Sequence, residues 1–232
     1  MTFGRQLALD LGHRTAVGRE DFLVARCNAD AVAWLDRWPD WPAPGLVVHG
    51  PAGCGKTHLA HAWRAVSGAG LVAGRDLDPG ESARLGGALV VDRGDEAPDE
   101  EAFLHLVNVV GERGGHVLIT ARSAPARWPI GLPDLRSRLN ALPAVAVGPP
   151  DDAVVAAVLV KMFADRQLRV GEEVIWFLVA RMERSFAAAG RLVERLDAAA
   201  LATRRRITVP LARRVLGEIE AMPKREGEET WI

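Results

Sequence analysis

A chain of 232 residues, 49% of them hydrophobic, has material for one medium domain and a smaller one. With 29 basic against 30 acidic residues and a net charge of −1, it carries no general attraction for DNA or anionic membranes. Cys27 and Cys54 are too few for a disulfide scaffold or a zinc cluster and point to a reduced, cytoplasmic setting. Residues 1–20 are poor in core-forming residues and hold Arg5 and Asp10 but no long apolar run, so neither a signal peptide nor a membrane span is expected. Within them, Gln6-Leu7-Ala8-Leu9-Asp10-Leu11 alternates leucines at 7, 9 and 11. On spacing alone this reads first as an edge strand or an apolar strap. The second reading is an extended peptide that docks in a partner's pocket with Gln6 as its polar anchor.

Asn28 is a candidate cap for a helix running to about Trp38, with Ala31, Val32, Leu35 and Trp38 at helical spacing. Asp21-Phe22-Leu23-Val24, just before it, suits either a nucleotide base or ordinary core. Pro39-Asp40-Trp41-Pro42-Ala43-Pro44 breaks the helix and leads into the apolar run Gly45 to His49, short enough for a buried strand. Then comes Gly50-Pro51-Ala52-Gly53-Cys54-Gly55-Lys56-Thr57, which satisfies G-x-x-x-x-G-K-[ST] at every fixed position and is followed by helical spacing from His58 to Val66. Strand, glycine-rich loop and helix are the context this motif needs. Backbone N–H groups of the loop can close on phosphates, and the helix start at His58 adds its positive dipole end. Lys56 can reach the β- and γ-phosphates, and the Thr57 hydroxyl can hold Mg²⁺. The stretch is a nucleotide site.

Four further apolar runs read as strands: Gly70–Ala73, Ala88–Val91, His116–Thr120 and Ala144–Val147. Helical patterns such as Glu101 to Val110 separate them, so the fold class is α/β, a five-stranded parallel sheet between helices. Asp92 ends a strand and is the natural metal-holding acid of a P-loop protein. A hydrolase usually places a second acid beside it, where this chain has Arg93. Thr120 ends the fourth strand; a polar sensor near the γ-phosphate and a β-branched strand residue fit it equally. Pro133-Asp134 starts a short helix with Arg136-Ser137-Arg138-Leu139, whose two arginines point in different directions. From spacing alone this is a solvated basic face.

Gly148-Pro149-Pro150 is the expected domain boundary, giving an N-terminal peptide over 1–20, a nucleotide-binding domain over 21–147, a helical lid over 148–220 and a frayed tail over 221–232. In the lid, Asp151 or Asp152 caps a helix to about Arg166 and a second runs from Glu172 to Met182. Ser185 caps a third to about Thr203, and Pro210 suits the first turn of a fourth. Arg204-Arg205-Arg206 sits at a helix end with no helix-turn-helix after it, so autonomous sequence-specific DNA binding is not expected.

This plan resembles the AAA+ ATPases, and within them the DnaA-related proteins of the Hda family. The residues that carry the resemblance are Gly55-Lys56-Thr57-His58-Leu59-Ala60-His61, Leu132-Pro133-Asp134-Leu135-Arg136-Ser137-Arg138-Leu139, Arg195-Leu196-Asp197 and Ile207-Thr208-Val209-Pro210. Gln6 to Leu11 is similar to the family's clamp-binding Q-L-x-L-x-L. The resemblance implies a regulator of replication initiation that binds ATP or ADP with Mg²⁺ and docks on the DNA-loaded sliding clamp through Gln6, Leu7, Leu9 and Leu11. It also implies that Arg138 acts as an arginine finger in trans on ATP held by a DnaA-type initiator, with Asp92 and Thr120 as the acid and sensor of its own site. Self-association is compatible with it, and no membrane partner is. Arg93 beside Asp92, Ala121-Arg122 after the fourth strand and Ala187 at the expected lid arginine, with Arg184 and Arg191 nearby, depart from the family pattern. They imply nucleotide binding with weak or absent turnover. An autonomous ATPase that loads or remodels a replication complex is the alternative, and an adaptor without nucleotide is a third.

Overall fold

Parallel strands covered on both faces are largely apolar, and the interior runs at residues 46–48, 89–91 and 117–119 are buried. In a computed structural model that describes residues 23–78, 87–203 and 205–221, the five apolar runs form β1 (Gly45–His49), β2 (Gly70–Ala73), β3 (Ala88–Asp92), β4 (His116–Ala121) and β5 (Ala144–Ala146). All neighbours are parallel and the order is β2-β3-β4-β1-β5. Strand β1 lies between β4 and β5, and the chain leaves it for the far edge of the sheet, where β2 lies. Such a reversal opens a crevice at the carboxyl ends of the strands. The phosphate loop and Asp92 both lie at that edge.

Helices α1 (Ala29–Asp36), α2 (Lys56–Ser67), α3 (Glu100–Glu112) and α4 (Pro133–Ala141) accompany the sheet. On α3, Asp99 caps the first turn by accepting from the Ala102 N–H at 2.8 Å, and Phe103, Leu106, Val107 and Val110 bury its apolar stripe. On α4, Leu135 and Leu139 are one turn apart and both buried, so they fix which face of that helix points inward. These side chains share one core with Val91, Ile119 and Trp128. At the amino end of the sheet, Trp41 stacks on Trp63 with ring centroids 5.4 Å apart, and His116 meets Trp41 edge-on at 5.5 Å.

The chain divides into two compact units, and residues from Pro150 onward fall outside the unit that holds the sheet. In the helical unit, α5 (Asp152–Asp165), α6 (Glu172–Val179), α7 (Phe186–Thr203) and α8 (Val209–Glu220) close around Leu159, Phe163, Leu178, Leu192 and Leu196. Asp151 caps α5, accepting from the Val154 N–H at 2.9 Å, and Ser185 caps α7 from Ala188 at 3.1 Å. Pro210 lies in the first turn of α8. No helix among the described residues is long and apolar enough to cross a membrane.

Strand β4 runs one residue further than read, to Ala121, β5 stops one short, at Ala146, and helix ends differ too. Helix α1 stops at Asp36 rather than Trp38, because the residue before Pro39 is pushed out of helical backbone and the last turn tightens to three-residue hydrogen bonds. The Asn28 side chain makes no capping hydrogen bond there and is buried instead. Helix α6 ends at Val179, where the Arg181 N–H takes the Leu178 carbonyl.

Candidate functional site

Glycines 50, 53 and 55 explain how a loop can pass so closely around a ligand. A Cβ on Gly50 would lie 2.1 Å from the Val147 carbonyl oxygen, so only glycine lets the loop leave β1 beside β5. Gly53 and Gly55 take φ of 71° and 101°, in the left-handed region that side chains disfavour. Helix α2 begins directly after Gly55, so its unsatisfied N–H groups and dipole face the loop. Lys56 folds over the loop and donates to the carbonyls of Gly50 at 2.9 Å and Pro51 at 2.8 Å. Its ammonium is also 3.8 Å from the buried Cys54 thiol. Neutral carbonyls hold an ammonium less strongly than anionic phosphate oxygens do, so this placement suits an anion in the loop. Pro51, Ala52 and His58 are exposed around the rim.

Strand register brings the remaining residues together. Val48 pairs with Thr120 and Val91 with Ile119, which sets Asp92 beside Thr120 at the carboxyl edge. The Thr120 hydroxyl donates to Asp92 Oδ1 at 2.6 Å and accepts from the Arg93 N–H at 2.9 Å. Thr57 Oγ1 lies 3.3 Å from the same carboxylate oxygen. A hydroxyl and a carboxylate converging in this way are the hard oxygen donors that a magnesium ion accepts. Thr120 itself is buried to 1% exposure, behind the carboxylate.

Past Asp92 the backbone turns sharply. Arg93 has φ 55° and ψ 53°, uncommon for a side-chain-bearing residue, and its guanidinium faces Glu96 at 3.7 Å. Glu96 also meets Arg122 at 3.6 Å, while Asp95 accepts from the Arg122 N–H at 2.8 Å. Both carboxylates that follow Asp92 are therefore engaged with Arg122. At the end of β1, burial lowers the His49 pKa, with the charges of Arg127 and Lys56 adding to it. For Cys54 burial dominates and raises the thiol pKa despite Lys56.

Helix α4 presents its arginines differently. Arg136 turns back and donates to the Ile130 carbonyl. Arg138, one turn after Leu135, is exposed, and among the described residues its guanidinium has no hydrogen bond or ion pair. In the helical unit Arg184 forks onto Asp152 at 2.8 and 3.1 Å, Ala187 is half-buried and Arg191 is exposed. Gln6, Leu7, Leu9 and Leu11 lie outside the described residues, as do Asp21, Phe22 and Arg204.

Two participants escaped the sequence reading. Arg127 lies within electrostatic reach of His49, which no spacing rule links to it. Glu100, at the start of α3, accepts from the backbone N–H groups of Gly131 at 2.8 Å and Leu132 at 2.6 Å. A helix that opens on Leu132-Pro133 without Ser, Thr, Asp or Asn as a cap was the available hint, since such a start needs an acceptor from elsewhere.

The model of the Hda lid domain matches residues 152–216. Domain III of the Thermotoga maritima replication initiation protein DnaA is similar in structure at a TM-score of 0.73 and 17% identity, over 85% of this chain and 94% of that one. AMPPCP-bound DnaA from Aquifex aeolicus follows at 0.66 and 15%, over 82% and 67%. The Thermotoga maritima RuvB Holliday junction branch migration motor reaches 0.61 and 16%, over 75% and 61%. At such identities the likeness establishes the fold, an AAA+ one, and the lid model narrows the kinship. Residues 152–216 thus match the lid domain of the Hda family, and the chain shares its fold with domain III of DnaA.

Proposed function

We propose that this protein regulates replication initiation in the cytoplasm by binding ATP or ADP, docking on the DNA-loaded sliding clamp and promoting hydrolysis of ATP on a DnaA-type initiator. The observation that carries the reading is Arg138: an exposed guanidinium, unpaired among the described residues, on a helix whose inner face is buried and whose other arginine is tied back. A guanidinium stays charged at any working pH and can fork across phosphate oxygens. Supplied by a partner, such a group accelerates P-loop hydrolysis by roughly 10³–10⁵-fold. That is about 4–7 kcal/mol of barrier, well above the ~0–1 kcal/mol of an exposed ion pair.

Within the chain's own site, the loop from Gly50 to Thr57 holds the phosphates and Lys56 neutralises them, while Thr57 and Asp92 hold the accompanying Mg²⁺. The ion would neutralise charge between the terminal phosphates. The AMPPCP on the DnaA neighbour supports an adenine nucleotide here. Gln6, Leu7, Leu9 and Leu11 dock on the clamp as an extended strand.

The test is a reconstitution of initiator–ATP with clamp-loaded DNA, following hydrolysis as the regulator is added. Arg138→Ala should keep its own nucleotide and clamp binding yet lose stimulation, and Arg138→Lys should rescue it poorly. Lys56→Ala should lose nucleotide affinity by calorimetry. Alanines at Gln6, Leu9 and Leu11 should abolish clamp binding alone. Stimulation by Arg138→Ala equal to the parent's would refute the trans-acting role. Sustained ATP turnover by the isolated protein would favour the autonomous loader instead.

A further inference from the structure

A finger arginine works only if its helix is held at a definite angle, because a misplacement of about 1 Å can cost roughly 10²-fold in rate. The buried pair Leu135 and Leu139 gives α4 one line of contact with the core, which leaves rolling about that line to be restrained by something else. Its N-terminal end has no restraint of its own: Pro133 brings no N–H, and Leu132 brings no side-chain acceptor. Glu100 supplies it from another helix. Each carboxylate oxygen takes one of two consecutive N–H groups, Oε1 from Gly131 at 2.8 Å and Oε2 from Leu132 at 2.6 Å. An anion at that end also meets the positive end of the α4 dipole. Glu100 is itself placed by rigid structure, one residue after the Asp99 cap and three before buried Phe103. On the other side of the junction, Arg136 donates to the carbonyl of Ile130, whose side chain is buried near Trp128 in the same core. The segment leading into α4 is thus gripped at three consecutive residues, 130, 131 and 132. The Gly131 and Leu132 N–H groups hold the Glu100 pKa below the ordinary carboxylate range, with Arg136 adding and desolvation opposing, as bonds to the charged form require.

The geometry points to Glu100 as a positioning residue that fixes the angle at which Arg138 is presented to a partner's nucleotide, with Arg136 as the second half of the clip. This rests on the trans-acting reading of Arg138 given above. Glu100 touches no nucleotide and acts only through the backbone at the head of α4. Glu100→Ala removes both acceptors. Glu100→Gln keeps the shape and one acceptor but turns an NH₂ toward the other N–H, so it tests the charge and the fork without emptying the site.

The experiment measures initiator–ATP hydrolysis over a range of regulator concentrations for the parent, both Glu100 variants and Arg138→Ala. Amide exchange of Gly131 and Leu132 and the regulator's own ADP affinity are measured alongside. The expected result is a 10- to 100-fold fall in maximal stimulation for Glu100→Ala, estimated from the sensitivity to misplacement, and a smaller one for Glu100→Gln. The half-saturating concentration and ADP affinity should stay at the parent's values, while exchange at Gly131 and Leu132 speeds up. Unchanged maximal stimulation with faster exchange would reduce Glu100 to a helix cap and overturn the inference. So would a loss shared equally by ADP affinity, since that signals general unfolding. If Arg138→Ala stimulates as well as the parent, the trans-acting reading fails and this inference with it. If Arg138→Ala is inactive and both Glu100 variants are fully active, only this inference fails.

Discussion

Replacing Thr120 with valine separates two roles for a residue that sits against the acid of the nucleotide site. Valine keeps the shape and the strand propensity but puts a methyl where the hydroxyl was. In the structure that hydroxyl donates to Asp92 Oδ1 at 2.6 Å and accepts from the Arg93 N–H at 2.9 Å. A hydrogen bond to an ionised group contributes roughly 1.5–3 kcal/mol, and a buried N–H left without a partner costs about 1–3 kcal/mol. Asp92 is only half-buried, so water recovers part of the first. Arg93 is likewise half-buried, so the lower ends of both ranges apply, which gives about 2.5 kcal/mol. Left-handed backbone at Arg93 sharpens the effect, because such a conformation costs of order 1–3 kcal/mol and persists only where neighbours enforce it. Urea unfolding followed by tryptophan fluorescence reports the right unit, since Trp41 and Trp63 lie within it. Thr120→Val should unfold at clearly lower urea, and Thr120→Ser, which keeps the hydroxyl, should unfold close to the parent. A γ-phosphate sensor with no structural duty predicts the opposite pattern: stability unchanged and only the response to ATP over ADP lost. A Thr120→Val midpoint equal to the parent's, or a Thr120→Ser one as low as valine's, would refute the reasoning.

Gly50→Ala places a Cβ 2.1 Å from the Val147 carbonyl oxygen, so the loop must shift off the strand edge. Overpacking of this kind costs about 1–3 kcal/mol, and calorimetry should show nucleotide affinity falling at least about tenfold, the equivalent of 1.4 kcal/mol; parental affinity would show that the close approach does not shape the site. For His49, burial first and then the charges of Arg127 and Lys56 put the folded pKa below its unfolded value of about 6.5. Below that pH the unfolded chain binds the extra proton, so stability should decline from there down to the folded pKa, and NMR titration should find the imidazole neutral at pH 7 and more basic once ADP is added. An imidazole titrating at or above the unfolded value would contradict the placement.

How far the sequence could be read depended on whether each residue's partner was local. Strands β1 and β2 were found at their observed bounds because each is a short apolar run between turn residues, β1 buried over residues 45–48 and β2 at Val72. The phosphate loop was legible for a similar reason: its glycines, Lys56 and Thr57 answer to one ligand within eight consecutive residues. Asp92 was found as the last residue of a strand. Its link to Thr120, 28 residues away, exists only through the register of β3 against β4, which apolar runs do not encode. Glu100 was harder still. Nothing distinguishes it from Glu101 in the sequence, and its partners are backbone N–H groups 31 and 32 residues on, which any residue but proline would offer. Caps at Asp151 and Ser185 were readable because their acceptors act three residues away.

The loop after Asp92 bears on why chemistry would be carried out on a partner rather than at home. Hydrolysing P-loop enzymes place a group that orients the attacking water near the terminal phosphate. The residue beside Asp92 is Arg93, and each of the next two carboxylates has taken an arginine or its backbone as partner. The ion pairs themselves are exposed and weak, ~0–1 kcal/mol each, so they would not by themselves keep Glu96 from a water. The charge at position 93 is a different matter, because a guanidinium in place of a carboxylate moves the local charge by two units and a cation accepts no proton from water. It does suit the anionic phosphates of a nucleotide that is held. On the function proposed above, binding and turnover separate at this edge of the sheet: the loop, Lys56 and Thr57 match the phosphate-loop motif, and Arg93 stands where a second acid would. On this reading a nucleotide that stays bound keeps the sheet edge in one state, and the arginine that chemistry still needs is the one left exposed on α4.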